Sequence, residues 1–426
     1  MSIRFRLLSR TPVLALLVAT VGSHASGQAP SGQRSDVSYV SSMLALPETA
    51  PESAGMSRAR LEAIDRAVRQ GVEAGGFPGA AVVVGRRGAV VFAHGYGTLD
   101  WSDRTPVDPR QTIYDIASLT KVVATTAATM ILVDRGRLRL DDLVGRYLPE
   151  YRDDPKAKVT IRDLLTHRAG LPAGRDLSGA RNAAEARRVV LGTPLVRPPD
   201  SRAEYSDLGP VILGFVVERV TGASLDAFLR SAVYGPLGMR STTFRPPASA
   251  RARIAPTISG GPRGVVHDPS ARALGGVAGD AGLFATAGDL AAYAQMMLNG
   301  GALRGHRIVR DSTVALFTRR TAGWRALGWD TCGGGGGCGH YLGPAAYGHT
   351  GFTGTSIWID PEREMFIIVL TNAVIGRPGG GEAPVAILHD VREDIAEIAT
   401  LAVIDDDLDR DLPERLRSDL QIGWQK

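Results

Sequence analysis

Two β-rich hairpin patterns lie near opposite ends of the chain, and the pattern between them is mostly helical. The hairpins cover residues 79–94 and 348–371, where β-branched and aromatic runs are divided by turn residues. Amphipathic helical patterns cover residues 57–74, with Ser57 as N-cap, and 384–403. We expect the four strands to form one antiparallel sheet that the two terminal helices cover, which is an α+β fold.

The segment between the hairpins predicts a separate helical lobe. The sheet lobe is expected over about 52–117 and 300–404, and the helical lobe over about 118–299. A glycine-dense run at 275–284 has no phosphate-loop lysine pattern, so it predicts close backbone packing. Helical patterns in the lobe and its connections lie at 122–133, 140–147, 160–171, 211–220, 224–234 and 288–298.

The first residues of the chain are typical of a secretory signal. Three arginines precede a short apolar run at 13–21, and small residues occupy the cleavage-determining positions. We expect a signal peptide over 1–25, a linker over 26–47, one domain over 48–404 and a charged tail over 405–426. The alternative is a retained amphipathic or membrane anchor. The prediction is a periplasmic or secreted protein with no stable membrane insertion.

Composition narrows the classes of ligand. The chain has 49 basic and 44 acidic residues, and no basic patch interleaved with aromatic residues, so nucleic acid is not an expected partner. Its two cysteines, Cys332 and Cys338, flank five glycines, and their spacing in an exported protein permits a disulfide without requiring one. Two thiols and scattered histidines do not complete a ligand set, so neither a metal nor a cofactor is predicted.

A serine and a lysine three residues apart open the apolar run at 122–133. Ser118 and Lys121 are neighbours on one face if this turn is helical, within reach of a hydrogen bond. Only four of the 49 basic residues are lysines. A desolvated lysine can lose its proton whereas arginine cannot, so the pair predicts an activated nucleophile. The alternative is a helix cap beside a solvated lysine.

Two further groups follow the Ser118–Lys121 pair in a recognisable order, Tyr205-Ser206-Asp207 and His349-Thr350-Gly351. With these groups the chain resembles the penicillin-recognising serine hydrolases, the group of class C β-lactamases, D-alanyl-D-alanine carboxypeptidases and related esterases. It is most similar to penicillin-binding-protein-4B-like sequences. The resemblance covers about residues 50–402, implies the β-lactamase/transpeptidase-like fold, and includes flanking blocks at 164–167, 234–239 and 282–286.

The resemblance implies a covalent acyl-enzyme mechanism. Ser118 would attack a carbonyl carbon while Lys121 and Tyr205 move protons. The backbone amides of Ser118 and Phe352 would form the oxyanion hole. In this reading residues 48–404 are a serine hydrolase domain.

The same resemblance implies a substrate-binding strand. His349, which stands where many relatives carry lysine, would bind the carboxylate side of the substrate or help proton transfer. Thr350 would contact the substrate, and Gly351 would keep the strand face open. Asp207 replaces the asparagine of the family pattern, so an acceptor-only carboxylate stands where an amide both donates and accepts. Asp280 stands where related sequences often carry histidine.

His167, within the helical pattern at 160–171, is interpreted as a packing or capping residue rather than a catalytic one. Two functions stay open at this point. The first is an exported serine hydrolase acting on a peptidoglycan stem peptide or a small ester. The second is a catalytically silent penicillin-binding module that senses muropeptides.

Overall fold

The protein was analysed as a computed structural model that describes residues 46–258, 261–321, 323–333, 337–377, 385–406 and 410–417. Its helices are α1 Arg58–Leu61, α2 Ala63–Glu73, α3 Ala127–Asp134, α4 Ile161–Leu165, α5 Ala183–Gly192, α6 Leu208–Thr221, α7 Leu225–Leu229, α8 Gly235–Leu237, α9 Pro269–Ala273, α10 Ala287–Leu298, α11 Asp311–Thr318, α12 Val385–Leu401 and α13 Glu414–Arg417. Short 3₁₀ segments cover Pro51–Ala54, Val144–Arg146, Pro149–Tyr151, Lys156–Lys158 and Ala248–Arg253, and π-helical segments cover Lys121–Thr126 and Arg230–Tyr234.

The strands are β1 Gly79–Arg86, β2 Ala89–Gly97, β3 Tyr114–Asp115, β4 Phe284–Ala285, β5 Ala302–Leu303, β6 His306–Arg307, β7 Asp330–Thr331, β8 Tyr347–Thr350, β9 Ser356–Asp360 and β10 Met365–Thr371. Six of them form an antiparallel sheet in the order β2-β1-β10-β9-β8-β7. In its centre β1 pairs with β10, so that Ala80 lies opposite Thr371. The prediction of one antiparallel sheet built from both ends of the chain is therefore confirmed.

The sheet is covered on both faces, which explains why β1 is apolar along its whole length. Val82 packs on one side with Ile64 of α2 and Ile395 of α12. Val83 packs on the other side in the cluster that includes Leu290 of α10 and extends through the helical lobe. Burial of each such aliphatic side chain contributes about 1.5–3 kcal/mol to folding.

Two predicted helices have other bounds than the pattern suggested. The helix expected over 57–74 is interrupted at Glu62, although Ser57 does cap its start by accepting a hydrogen bond from the Arg60 amide. The helix expected over 160–171 ends at Leu165, because His167 has a φ of +56° that a right-handed helix does not allow. The spacing of the apolar residues did not indicate where either helix is interrupted.

Two other segments differ in detail or confirm the prediction. The helical connector expected over 140–147 contains only the 3₁₀ segment Val144–Arg146. The glycine-dense run is closely packed, as predicted: a Cβ at Gly279 would lie 1.9 Å from the Pro210 carbonyl oxygen. Cys332 and Cys338 are both free thiols that hydrogen-bond to each other, and this bond, together with burial, raises the pKa of Cys332.

The predicted signal peptide and nearly all of the predicted linker lie outside the described residues. Within the part of the chain that is described, no single helix combines the length and hydropathy of a membrane span. Helix α6 and the segment Leu225–Leu237 reach that measure only as a pair, with a bend of 71° between them.

Candidate active site

Ser118 lies in a sharp backbone turn immediately after β3. The preceding residue, Ala117, has a φ of +46°, a left-handed conformation that is uncommon for alanine. The buried Asp115 carboxylate holds the turn by accepting hydrogen bonds from the amides of Ala117 (2.9 Å) and His267 (2.7 Å). Burial raises the pKa of Asp115 to about 6. The helical residues begin at Leu119, directly after Ser118, and continue as a π-helical segment from Lys121, whose amide donates to the Ser118 carbonyl over 3.0 Å, so Ser118 lies at the start of the first turn.

Three side chains from distant parts of the sequence meet at the Ser118 oxygen. Lys121 Nζ donates a hydrogen bond to Ser118 Oγ over 2.9 Å, and Tyr205 Oη lies 3.1 Å from the same atom. Lys121 is 2% exposed and Tyr205 is 37% exposed. The structure therefore brings the predicted hydroxyl, amine and phenol together, with the amine at the bottom and the phenol on the open side.

Lys121 is held as an ammonium ion in this arrangement. Its Nζ lies 2.7 Å from Asp207 Oδ1 and also donates to the Asp280 carbonyl oxygen over 3.0 Å. Burial lowers the pKa of Lys121, but the negative charges of Tyr205 and the two aspartates outweigh burial, and the pKa is raised. The sequence suggested a lysine that removes the serine proton, whereas the charged amine can only donate to Ser118.

Asp280 adds a second carboxyl group to the surroundings of Lys121. Its side chain is buried, and Oδ1 has no hydrogen-bond partner among the described residues. Burial raises the pKa of Asp280 to about 7, although the Lys121 ammonium acts in the opposite direction. The charge around the amine therefore changes near neutral pH.

The strand β8 carries the predicted substrate-binding group along one side of the site. His349 is 2% exposed, and its Nδ1 donates to the Thr350 carbonyl over 2.7 Å, so Nε2 is the bare nitrogen and has no partner in the described part of the chain. Burial lowers the pKa of His349. Its ring lies 6.3 Å from the Tyr205 ring. A neutral, buried imidazole here suits a place beside the proton-transfer groups better than pairing with a substrate carboxylate.

The end of β8 lies against the Ser118 turn. A Cβ at Gly351 would lie 2.6 Å from the Ile116 carbonyl oxygen and 3.4 Å from Ala117 Cβ, so a larger residue does not fit there. Ser118 follows Ala117 in the chain, and Phe352 follows Gly351. The backbone amides of Ser118 and Phe352 donate no hydrogen bond within the described residues. Two uncommitted N–H groups next to a nucleophile are what an oxyanion hole requires.

Two residues of the site were not predicted from the sequence. His167 stacks on Tyr205 with 4.7 Å between ring centroids, and its Nδ1 accepts from the Ser206 amide over 3.1 Å. Arg325 places its guanidinium 5.4 Å from the centroid of the Tyr205 ring and pairs with Asp330. The sequence indicates a packing or capping role for His167. The side chain does pack, but its partner is the Tyr205 ring of the site. Arg325 belongs to no local motif that could have marked it.

An open cleft lies on the exposed side of Tyr205. It has a volume of about 150 Å³, and its lining includes Arg168, Glu204, Trp324 and Arg325. Arg325 lies 3.8 Å from the Trp324 ring and forms one wall of the cleft. The cleft presents the Trp324 ring, together with guanidinium groups that already pair with Asp200 and Asp330.

One group of side chains in the described residues has the spacing of metal ligands. The ligand atoms of His389, Asp390 and Glu393 lie within 4.8 Å of one another on α12. His389 and Glu393 already contact each other at 3.5 Å. The group contains none of the residues around Ser118, and no step at the serine depends on it.

Comparisons with known proteins identify the family and the fold. The β-lactamase family profile matches residues 64–391. A protein of Escherichia coli O157:H7 named "Putative D-alanyl-D-alanine carboxypeptidase" is 35% identical, over 77% of this chain and 85% of its own. A penicillin-binding protein homologue from Caulobacter crescentus has the same fold, with a TM-score of 0.65 and 23% identity over 82% of this chain and 99% of its own. So does the structure named "EstCE1, a hydrolase with promiscuous acyltransferase activity", with a TM-score of 0.62 and 22% identity over 79% and 99%.

Proposed function

Because this chain belongs to the β-lactamase family of serine hydrolases, we propose that it is an exported D-alanyl-D-alanine carboxypeptidase that forms an acyl-enzyme through Ser118. The observation that carries the proposal is the meeting of Lys121 Nζ and Tyr205 Oη at one serine oxygen, at 2.9 Å and 3.1 Å. A serine hydroxyl is a weak nucleophile unless a base and a preorganised cation act on it.

The charge of Lys121 determines which group takes the serine proton. Since the ammonium cannot accept it, Tyr205 in its phenolate form accepts the Ser118 proton while Oγ attacks the carbonyl carbon. Lys121 stabilises the phenolate, and the amides of Ser118 and Phe352 stabilise the negative charge on the carbonyl oxygen. Tyr205 then gives the proton to the leaving amine as the C–N bond breaks.

Deacylation uses the same phenol a second time. Tyr205 takes a proton from a water molecule, the hydroxide attacks the acyl carbon, and the proton passes to Ser118 Oγ as the ester bond breaks. The phenolate is restored and the serine is free. No cofactor enters this sequence, which needs only groups that contact Ser118.

A substrate with a carboxylate would meet guanidinium groups in the cleft. A stem peptide ends in a D-alanine carboxylate, and Arg168 and Arg325 line the cleft, although each is already paired, with Asp200 and Asp330 respectively. The named function of the relatives points to the same substrate class. Such a peptide would lie along β8, which ends next to Gly351.

Esterase activity is the second candidate, and Asp207 is the reason for it. Its carboxylate is bound to Lys121 and cannot donate a hydrogen bond to an amide carbonyl of the substrate. A small ester without an acylamino group makes no such demand. A silent muropeptide-binding module is the third reading, and it predicts an unreactive Ser118.

Covalent labelling and a side-by-side substrate assay test the proposal. A fluorophosphonate and a fluorescent penicillin should label the protein at Ser118, and Ser118→Ala should not be labelled. Ser201→Ala, an exposed serine that bonds the Pro198 carbonyl, is the matched control and should label normally. Turnover of a D-Ala-D-Ala peptide above that of a short-chain nitrophenyl ester and a chromogenic cephalosporin supports the carboxypeptidase. Ester turnover alone selects the esterase, and no labelling by either reagent leaves the binding module.

Export is tested on the same preparation. Protein recovered from the periplasm or the medium should begin at Ser26, as the predicted cleavage after Ala25 requires. An N-terminal sequence that retains the apolar run would replace the exported protein with the anchored alternative.

Asp207→Asn should move the pH dependence of catalysis toward acid. The change removes a negative charge 2.7 Å from Lys121 Nζ, so the pKa of Lys121 falls. We expect the basic limb of the kcat/KM profile, where the ammonium loses its proton, to shift down by about one pH unit, since Asp207 is partly exposed and its charge is screened. Asp200→Asn, which removes the partner of Arg168 at the cleft edge, should leave the profile in place. An unchanged profile for Asp207→Asn would show that the ion pair does not govern the protonation state that limits catalysis.

A further inference from the structure

Arg392 is a buried cation that has no carboxylate partner among the described residues. It lies on α12 behind the sheet, and its Nη2 donates to two backbone carbonyls, those of Gly351 (2.9 Å) and Thr355 (2.8 Å). Among the described residues no acidic side chain pairs with it, and its Nε has no hydrogen-bond partner. Burial lowers the pKa of Arg392 to about 10, which still leaves it protonated at neutral pH. A buried charge without a counterion destabilises a fold, so its position calls for a reason.

The first carbonyl that Arg392 binds belongs to the peptide unit that carries the predicted oxyanion donor. The Gly351 C=O and the Phe352 N–H are opposite ends of one planar amide group. In a trans peptide they point in opposite directions. A cation fixed on the C=O side therefore fixes the direction of the N–H, and the Phe352 amide donates no hydrogen bond within the described residues.

The rest of the turn ties this peptide unit to the nucleophile. The Gly351 amide donates to the Thr355 carbonyl over 2.7 Å, which is the second carbonyl that Arg392 binds. Thr355 Oγ1 donates to the Ile116 carbonyl over 3.0 Å, two residues before Ser118. Arg392 thus bonds to both ends of a five-residue turn that is attached to the Ser118 turn.

We propose that Arg392 is a positioning residue for the oxyanion hole: it holds the Gly351–Phe352 peptide with its N–H toward Ser118 and polarises that N–H. The proposal rests on the acyl-transfer function proposed above. A cation at the carbonyl oxygen draws electrons through the amide and makes the N–H a stronger donor. In a buried site this effect acts on the transition state, where negative charge develops, more than on the bound substrate.

Kinetics and inhibitor binding test the proposal on the whole protein. Arg392→Met should lower kcat about 10- to 100-fold with KM within twofold of the parent, since loss of one complete oxyanion donor costs about 10²–10³-fold. Arg392→Lys keeps the charge but only one of the two hydrogen bonds. We expect its kcat to fall about three- to tenfold. Affinity for an arylboronic acid, whose serine adduct places an oxygen in the oxyanion hole, should fall in parallel with kcat/KM.

Arg86→Met is the control, because Arg86 is also buried and bonds three backbone carbonyls, those of Ala54, Gly55 and Arg363, although it also pairs with Asp405. It should lower stability and leave kcat and boronate affinity unchanged. A folded Arg392→Met with kcat within twofold of the parent overturns the proposal, as does a fall in kcat with unchanged boronate affinity. If Arg392→Met does not fold, kcat of Arg392→Lys within twofold overturns it. A parent protein that is neither labelled nor active instead rejects the acyl-transfer function itself.

Discussion

Replacing Lys121 with arginine should lower kcat/KM by about 10³-fold or more while the protein still folds. The amine contacts Ser118 Oγ, Asp207 and the Asp280 carbonyl at once, and the cavity behind it is only about 10 Å³ in volume. A planar guanidinium is larger and cannot make these three contacts with one nitrogen, so it would not hold the Ser118 oxygen and stabilise the Tyr205 phenolate as the ammonium does. Steady-state kinetics and circular dichroism measure the two parts of the expectation.

The chain offers a matched lysine for this experiment. Lys156 lies 5.2 Å from the centroid of the Tyr151 ring, the same distance as between Lys121 and the Tyr205 ring, and it bonds the Leu191 carbonyl. Lys156→Arg should leave kcat/KM within twofold of the parent. If Lys121→Arg also stays within a few-fold, the ammonium is not required to stabilise the Tyr205 phenolate.

Tyr205→Phe should lower kcat by about 10²–10⁴-fold with little change in stability. The substitution removes only the oxygen that lies 3.1 Å from Ser118 Oγ, while the ring remains stacked on His167. Because Lys121 is charged, the phenol is the group beside the serine that can accept a proton. Single-turnover kinetics with an activated ester should show the loss in acylation itself.

Tyr151→Phe provides the comparison, since Tyr151 is a buried phenol beside Lys156. It should leave kcat unchanged. A Tyr205→Phe enzyme that acylates at more than a tenth of the parent rate would assign the proton transfer to another group. The double variant of Lys121 and Tyr205 should be little worse than either single variant, since the two side chains act on one proton.

The contacts that the sequence predicted are those made by residues in short, chemically distinctive patterns. Ser118 and Lys121 are three residues apart, and the four lysines made the second of them conspicuous. Tyr205 entered through a family resemblance, and the sheet through the β-branched and aromatic runs of its strands. In each case residue type and spacing carried the information.

The contacts that were missed are made to backbone atoms or across long separations. Arg392 bonds carbonyl groups, which every residue possesses, so no residue type at position 351 or 355 marks it. The charge of Lys121 depends on Tyr205, on two carboxyl groups and on burial, and these come together only in the folded chain. Local propensity marked neither the interruption at Glu62 nor the π-helical segment Lys121–Thr126.

The pairing of β1 with β10 has a consequence for synthesis. Ala80 leaves the ribosome long before Thr371, yet the two lie side by side in the finished sheet. Ser118 and Lys121 are therefore present in the nascent chain for most of translation before the strands at residues 347–371 have been made. Ribosome-stalled chains that end before Met365 should not react with a fluorophosphonate, so that hydrolysis begins only when the last strands have been made.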